Sequence, residues 1–259
     1  MIQERINRLR QLMEQKGIDA YLVPTADFHE SEYVGEYFKC RKFITGFTGS
    51  AGTAVITKEE ACLWTDGRYF VQAAKELEGT GVNLQKMGQE GVPTVEEYLK
   101  KSLPENGTLG FDGRVVNYQM GRSLEEFLQD KNISVSWEED LIGQVWEERP
   151  SLSAEKVWIL KEEYAGRSAA EKIEDLREVM RKERATVHIL TTLDDIVWLL
   201  NIRGNDVACN PVVLSYALIT LDKFYLFINE EVLDQQVKEY LKETGVTVCP
   251  YDKVYYEVS

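Results

Sequence analysis

The chain has 259 residues, 44% of them hydrophobic, and its 44 acidic against 30 basic side chains give a formal charge of -14. With no Lys/Arg block, that balance excludes nucleic acid and anionic membrane as expected partners, and the acidity reads as solvated helix faces. No apolar run nears the ~18 residues of a membrane helix, and the opening MIQERINRLRQ is not a signal peptide, so cytoplasm is the expected location.

The first element, INRLRQLMEQKGIDAYLVPTAD from Ile6, places apolar residues at i, i+3 and i+7 before a short apolar run, which predicts an amphipathic helix feeding a buried strand. DFHESEY follows, with Asp27, His29, Glu30 and Glu32. These are metal-ligand types, but their spacing fits no single helix face, and the only other histidine, His188, sits in the apolar run VHIL. A metal site there is therefore the minor reading.

From Phe43 to Phe70 the sequence reads as three β-like runs ending in the turn Asp66-Gly67-Arg68, from which a helix departs. Gly46, Gly49 and Gly52 are flanked by strand-like residues with no GK[ST] after them, so a hairpin or bulge is expected rather than a phosphate loop. Asp66 is expected to cap the helix, placing Arg68 in its first turn, where the helix dipole disfavours a cation. Two readings stand open for Arg68: a fixed cation for an anionic or carbonyl-bearing ligand, or a surface partner of Asp66 or Glu36. Helix Tyr69–Leu77, strand Val82–Lys86, helix Thr94–Ser102, strand Thr108–Phe111, helix Tyr118–Gln129, strand Ile133–Trp137 and a short helix in LIGQVWEE follow.

A boundary is expected near Arg149–Ser153, dividing a first domain, 1–150, from a second, 151–259. The second repeats the first. Shifted by 167, Ile6–Asp27 overlies Ile173–Asp194 with six of 22 positions identical: Ile6/Ile173, Leu9/Leu176, Arg10/Arg177, Met13/Met180, Thr25/Thr192 and Asp27/Asp194. FITGFTG at Phe43 then meets WLLNIRG at Trp198 at offset 155, so 167 − 155 = 12 residues are missing from the second copy. TAVIT at Thr53 meets YALIT at Tyr216, and CLW at Cys62 meets YLF at Tyr225, both at offset 163. The arginine corner is not repeated: Asn229, Glu230 and Glu231 stand where Asp66, Gly67 and Arg68 do. The polar stretch RGNDVACNP, Arg203–Pro211, is either an ordinary connection or a pocket rim. A final strand, Val246–Cys249, is soon followed by YYEVS, so a fragment of a longer chain is expected.

Cys40, Cys62, Cys209 and Cys249 form no CxxC pair, and buried, reduced thiols are expected. Without GxSxG, HExxH or more than two histidines, no nucleophile–base–orienter set can be assembled.

Taken together, DFHESEY, FITGFTGSAGTAVIT, WTDGRYFVQAA, LQKMGQEGVPTVEEYL and TLDDIVWLLNIRGNDVACNPVVLSYALI closely resemble the amino-terminal two-thirds of long, three-domain Xaa-Pro aminopeptidases (aminopeptidase P). The resemblance implies an α/β fold of two tandem creatinase/prolidase N-terminal-like domains, each a mixed sheet with packed helices. It implies a parent that hydrolyses the amino-terminal residue from Xaa-Pro peptides, works as a homodimer, and uses two Mn2+ held by two aspartates, a histidine and two glutamates of a third, pita-bread domain. None of those ligands is in this chain, so no cofactor is expected here and the region is expected to serve substrate selection and dimerisation. Matched residue by residue, Arg68 of the TDGRYF corner resembles a substrate-contacting residue, and His29, Arg203, Asp206 and Asn210 resemble residues of a domain interface or active-site rim. The alternative is a free-standing, non-catalytic binding module that kept this fold. A continuation of roughly 300 residues carrying the metal ligands would decide between the two.

Overall fold

The computed structural model describes residues 1–258, which divide into two compact units with the boundary between Ser151 and Leu152. In the first unit, helix α1 (Ile2–Lys16) buries Ile6, Leu9 and Met13 and is stopped by Gly17, whose φ of 67° is left-handed. Strand β1 (Ala20–Pro24), helix α2 (Cys40–Thr45) and the strands β2 (Thr53–Thr57) and β3 (Ala61–Thr65) follow. Helix α3 (Phe70–Glu76), strand β4 (Asn83–Lys86), helix α4 (Val95–Ser102) and strand β5 (Thr108–Gly110) come next, then helix α5 (Tyr118–Leu128), strand β6 (Ser134–Ser136) and helix α6 (Leu141–Val145). The sheet runs β4-β3-β2-β1-β5-β6. Its β1–β2 and β2–β3 pairs are antiparallel, while β3–β4, β1–β5 and β5–β6 are parallel.

Side chains alternate across the sheet. Tyr21, Val23, Ala54, Ile56 and Leu63 face α1, α2 and α6, whereas Leu22, Val55, Cys62 and Trp64 face α4 and α5, so each strand contributes to two cores.

The second unit opens with strand β7 (Trp158–Ile159) and helix α7 (Glu162–Ala165), then α8 (Ala169–Lys182), β8 (Val187–Leu190) and α9 (Leu193–Leu200). Strands β9 (Ile202–Arg203), β10 (Ser215–Thr220) and β11 (Phe224–Ile228), helix α10 (Gln235–Glu243), strand β12 (Val246–Cys249) and helix α11 (Val254–Glu257) complete it. The main sheet runs β12-β11-β10-β8, with β7 and β9 paired separately.

That order repeats β4-β3-β2-β1, and the register repeats with it. Ala20 pairs Thr57 and Val187 pairs Thr220; Thr53 pairs Trp64 and Tyr216 pairs Phe227. Only the last pair slips: Cys62 faces Asn83, but its counterpart Tyr225 faces Thr247 rather than Val246. The repeated side chains have repeated tasks. Arg10 donates to the Thr57 carbonyl at 2.9 Å and Arg177 to that of Thr220 at 3.2 Å, tying each first helix to the start of its hairpin. Arg5 donates to Phe43 O and lies over the Phe43 ring; Lys172 donates to Trp198 O and lies over the Trp198 ring.

One expected strand is a helix. Phe43–Thr45 and their counterparts Trp198–Leu200 close α2 and α9, each ended by a left-handed residue, Gly46 (φ 83°) or Asn201 (φ 50°). Burial on the first helix decides the matter, since Ile44 and Leu199 are both inside and β propensity is easily overridden. Gly46, Gly49 and Gly52 therefore lead from a helix end into β2 and are not a turn between strands. Cys62 is buried, but Cys209 is exposed on a loop, against the expectation for all four thiols.

Candidate functional site

The two copies differ most in two connections. Residues 25–39 separate β1 from α2, whereas only residues 191 and 192 separate β8 from α9; conversely, residues 201–214 separate α9 from β10, and only 46–52 do so in the first copy. His29 lies on the first insertion, and Arg203, Asp206 and Asn210 on or beside the second. Loops carried on a rigid duplicated frame are where specific function resides.

At the end of β3, Asp66 does not cap a helix. Its Oδ1 accepts from the Arg68 amide (3.0 Å) and Nε (2.9 Å), and its Oδ2 from the outer guanidinium nitrogen (2.8 Å), while the helix begins at Phe70. Arg68 thus precedes the helix, and its local charge is answered by Asp66 rather than set against a dipole. The guanidinium holds the Asp66 carboxyl down at about 2, through side-chain and backbone hydrogen bonds, and the pairing pushes Arg68 up in turn. The Arg68 side chain is 67% exposed. Its remaining nitrogen, Nη1, makes no hydrogen bond among the described residues, so a fork anchored on one edge presents the other outward.

The same corner occurs again at the end of β5, unnoticed in the sequence although FDGRVV repeats TDGRYF. Asp112 accepts from the Arg114 amide and Nε, both at 3.0 Å, and from its outer nitrogen at 2.9 Å. Here the guanidinium lies 4.9 Å over the Phe28 ring and 3.6 Å from Asp140. The Asp-Gly-Arg turn is thus a device of the fold for fixing an arginine; exposure is what sets Arg68 apart.

His29 is buried, at 6% exposure. Asp27 organises its loop: Oδ1 accepts from the His29 amide (2.8 Å) and the Ser31 amide (2.9 Å), and Oδ2 is buried without a hydrogen-bond partner. The loop and the Ser50–Thr53 segment bound a cleft of about 380 Å³ at the end of β1, with Glu30 and Glu32 on its rim. Arg41, buried, fixes the opposite wall by donating to Thr25 Oγ1 (2.9 Å), Phe47 O (3.0 Å) and Gly49 O.

In the second unit, Arg203 donates to Val197 O (2.9 Å) and Ile202 O (2.8 Å). Asp206, 6% exposed, accepts the Leu214 amide at 2.7 Å, and the Asn210 amide donates to Val207 O at 3.2 Å. One loop gathers all three residues. Asp206 lines a cavity of about 440 Å³ whose wall also includes Ser153, Ile228 and Tyr251. Burial raises the Asp206 carboxyl, against the opposing pull of the Ser153 hydroxyl and the Leu214 amide. Among the described residues no three His, Cys, Asp or Glu side chains are grouped to hold a metal ion.

Comparison with known proteins agrees with the duplication. Profiles of the Creatinase/Prolidase N-terminal domain match residues 5–140 and, separately, 148–259. The Probable Xaa-Pro aminopeptidase P of Talaromyces marneffei is 43% identical over 254 residues, covering 97% of this chain and 38% of its own length. That of Sordaria macrospora is 40% identical, covering 97% and 41%. An X-prolyl aminopeptidase from Caenorhabditis elegans, described as a cytosolic enzyme with a dinuclear active site, superposes with a TM-score of 0.93 at 34% identity, over 100% of this chain and 44% of that one. The chain therefore spans about two-fifths of the length of these relatives. Two matched profiles, one repeated sheet order and one repeated register lead to the same conclusion: the chain belongs to the creatinase/prolidase N-terminal family, carries that domain twice in tandem, and corresponds to the N-terminal region of an Xaa-Pro aminopeptidase.

Proposed function

We propose that these two domains are the non-catalytic part of an Xaa-Pro aminopeptidase: they select proline-containing peptides through Arg68 and support a cytoplasmic homodimer, while two hydrolytic Mn2+ ions are held elsewhere in the enzyme. The single observation that carries this reading is the corner at Arg68, where Asp66 fixes one edge of an exposed guanidinium and leaves Nη1 toward solvent. A fixed planar donor is suited to a peptide carbonyl or carboxylate, and fixing it beforehand lowers the entropy lost on binding. His29, Arg203, Asp206 and Asn210 contribute as loop residues of an interface or rim, their side chains or amides shaping the two inserted loops.

Among the described residues no side chains are grouped to hold a metal ion, so the chain supplied with manganese is expected not to cleave Xaa-Pro peptides; turnover that persists after contaminating peptidases are removed overturns the assignment. In a full-length enzyme bearing this corner, Arg68→Ala is expected to lower kcat/KM about ten- to a hundredfold with an unchanged unfolding midpoint, and Lys to restore it only in part. Unchanged kinetics defeats the substrate contact and leaves Arg68 as a surface partner of Asp66.

A further inference from the structure

The second domain has an open groove where the first has a helix. In the first domain the segment 139–149 closes the surface of α1 and α2. Trp146 stacks on Phe43 at 4.5 Å between centroids, and Arg8 pairs with Glu147. Tyr21 donates to Glu139 O at 2.8 Å and accepts the Leu141 amide at 3.0 Å, and Arg149 donates to Cys40 Sγ at 3.2 Å. Leu141, Ile142 and Val145 of α6 are buried in the same core as Leu9 and Ile44.

Carried across at the repeat's own offsets, the residues that receive this segment become Asp175 for Arg8, Leu176 for Leu9, Val179 for Leu12, His188 for Tyr21, Asp195 for Cys40 and Trp198 for Phe43. Those six residues line one groove of about 290 Å³ on the second domain. Among the described residues no helix of that domain covers it. The terminal helix α11 lies instead with Tyr216 and Phe227, whose counterparts face the other side of the sheet. The consequence is exposed apolar surface: Trp198 is 58% and Val179 52% exposed, although their counterparts Phe43 and Leu12 are partly buried against a core. Lys172, which lines the same groove, lies 4.4 Å over the Trp198 ring and donates to the Trp198 carbonyl, so the indole is already positioned. The rim has also changed in charge. Arg8 is replaced by Asp175, which is paired with Arg167 at 2.7 Å, and Cys40 by Asp195, which has no ion pair or side-chain hydrogen bond among the described residues.

We propose that this groove is a docking site for a short amphipathic helix that places two aliphatic residues against Leu176 and Val179, an aromatic residue on Trp198, and a basic residue at Asp195, the helix being carried on the part of the polypeptide that the longer relatives have outside this match. The occupant is thus a counterpart of the 139–149 segment, its basic residue meeting Asp195 where Arg149 meets Cys40. Its source is supported by the relatives, which have more than half of their residues outside the matched region, and its chemistry by Asp195 and the uncovered indole. The proposal stands independently of any role in peptide hydrolysis.

The test uses the whole chain and a fluorescein-labelled synthetic peptide of residues 139–149, helix-stapled on its solvent face, read by anisotropy. Saturable binding is expected. It should weaken about tenfold on Trp198→Ala, whose side chain is largely exposed and so should not affect folding, and about threefold on Asp195→Asn. Overlapping peptides covering the unmatched part of the Talaromyces marneffei relative should include one that displaces the probe. Absence of binding at 1 mM peptide (roughly the effective concentration a tethered segment would reach), or binding indifferent to Trp198→Ala, overturns the site. Absence of any displacing peptide overturns the source, as does a Trp198-dependent dimer in sedimentation, which would mean that a second copy covers the groove.

Discussion

Arg41→Met separates two views of the Gly46–Gly52 segment, as a self-supporting turn or as a wall held by one buried cation. Arg41 is 5% exposed and has no carboxylate bonded to it; its three donors go to Thr25 Oγ1, Phe47 O and Gly49 O, and its guanidinium lies 4.7 Å over the Phe47 ring. Methionine keeps most of the apolar stem but leaves two backbone carbonyls without their donor. An orphaned buried acceptor costs about 1–3 kcal/mol, so two cost about 2–6 kcal/mol, a large share of a domain's stability. Arg41→Lys can satisfy one acceptor and should fall between the two. Because two domains need not unfold together, the measurement is native-state hydrogen exchange at the Leu63 and Trp64 amides of the first domain, with β10 and β11 amides as internal control. A loss below about 1 kcal/mol in the first domain, or an equal loss in both, refutes the argument that this cation holds the wall.

The thiols should differ in reactivity: under native conditions at pH 8, Cys209 should be alkylated first, while Cys40, whose thiol burial pushes up to about 12, and buried Cys62 should react only on unfolding, as mass spectrometry of the modified peptides would show. Fast native labelling of Cys40 would refute its burial. Asp206 supplies a signed pH dependence: its folded carboxyl titrates above the unfolded value of 3.8, so below 3.8 it contributes no penalty, and a penalty develops as pH rises through the folded value. The urea midpoint of the native protein should therefore fall relative to that of Asp206→Asn between pH 4 and pH 7, and a difference that grows in the opposite direction refutes the assignment. Arg10→Met and Arg177→Met should each cost about 1–3 kcal/mol, confined to the domain that carries the change, when scored by exchange in β2 and β10; a loss shared by both domains would refute equivalent local roles.

The duplicated frame was legible because its signals are local and periodic. Apolar spacing in α1 and α8, and strand runs at matching offsets, survive without knowledge of what they touch. The Phe43 helix was not legible, since an aromatic and β-branched run has the composition of a strand, and only packing of Ile44 beneath α1 makes it helical. Nor could sequence choose between the two readings of Arg68. The guanidinium is paired with Asp66 and one edge remains outward, so the surface-partner reading is met and the ligand reading is left to the kinetic test. Asp27 reads in the sequence only as a metal-ligand type and a repeat position, and Arg41 carries no signal, because their work is to bond backbone atoms of loops, for which no spacing rule exists. The open groove escaped notice for another reason, as it is defined by an absent counterpart and emerges only when the two copies are compared residue by residue.

That comparison also explains why the two copies could diverge at their corners without losing their frame. Strand pairing fixes β1–β2–β3 and β8–β10–β11 in the same register, because a one-residue slip there would turn Ala54, Ile56 and their counterparts Ala217 and Ile219 away from the core. The β3–β4 and β11–β12 pairs lie at the edge, where β4 is largely exposed, and a slip costs little buried surface. The corner leading into that edge is correspondingly free: it became Asp66-Gly67-Arg68 in one copy and Asn229-Glu230-Glu231 in the other. A guanidinium fixed at the first and a cavity containing Asp206 beside the second are thus different uses of one permissive position, each supported by strands whose register neither could alter.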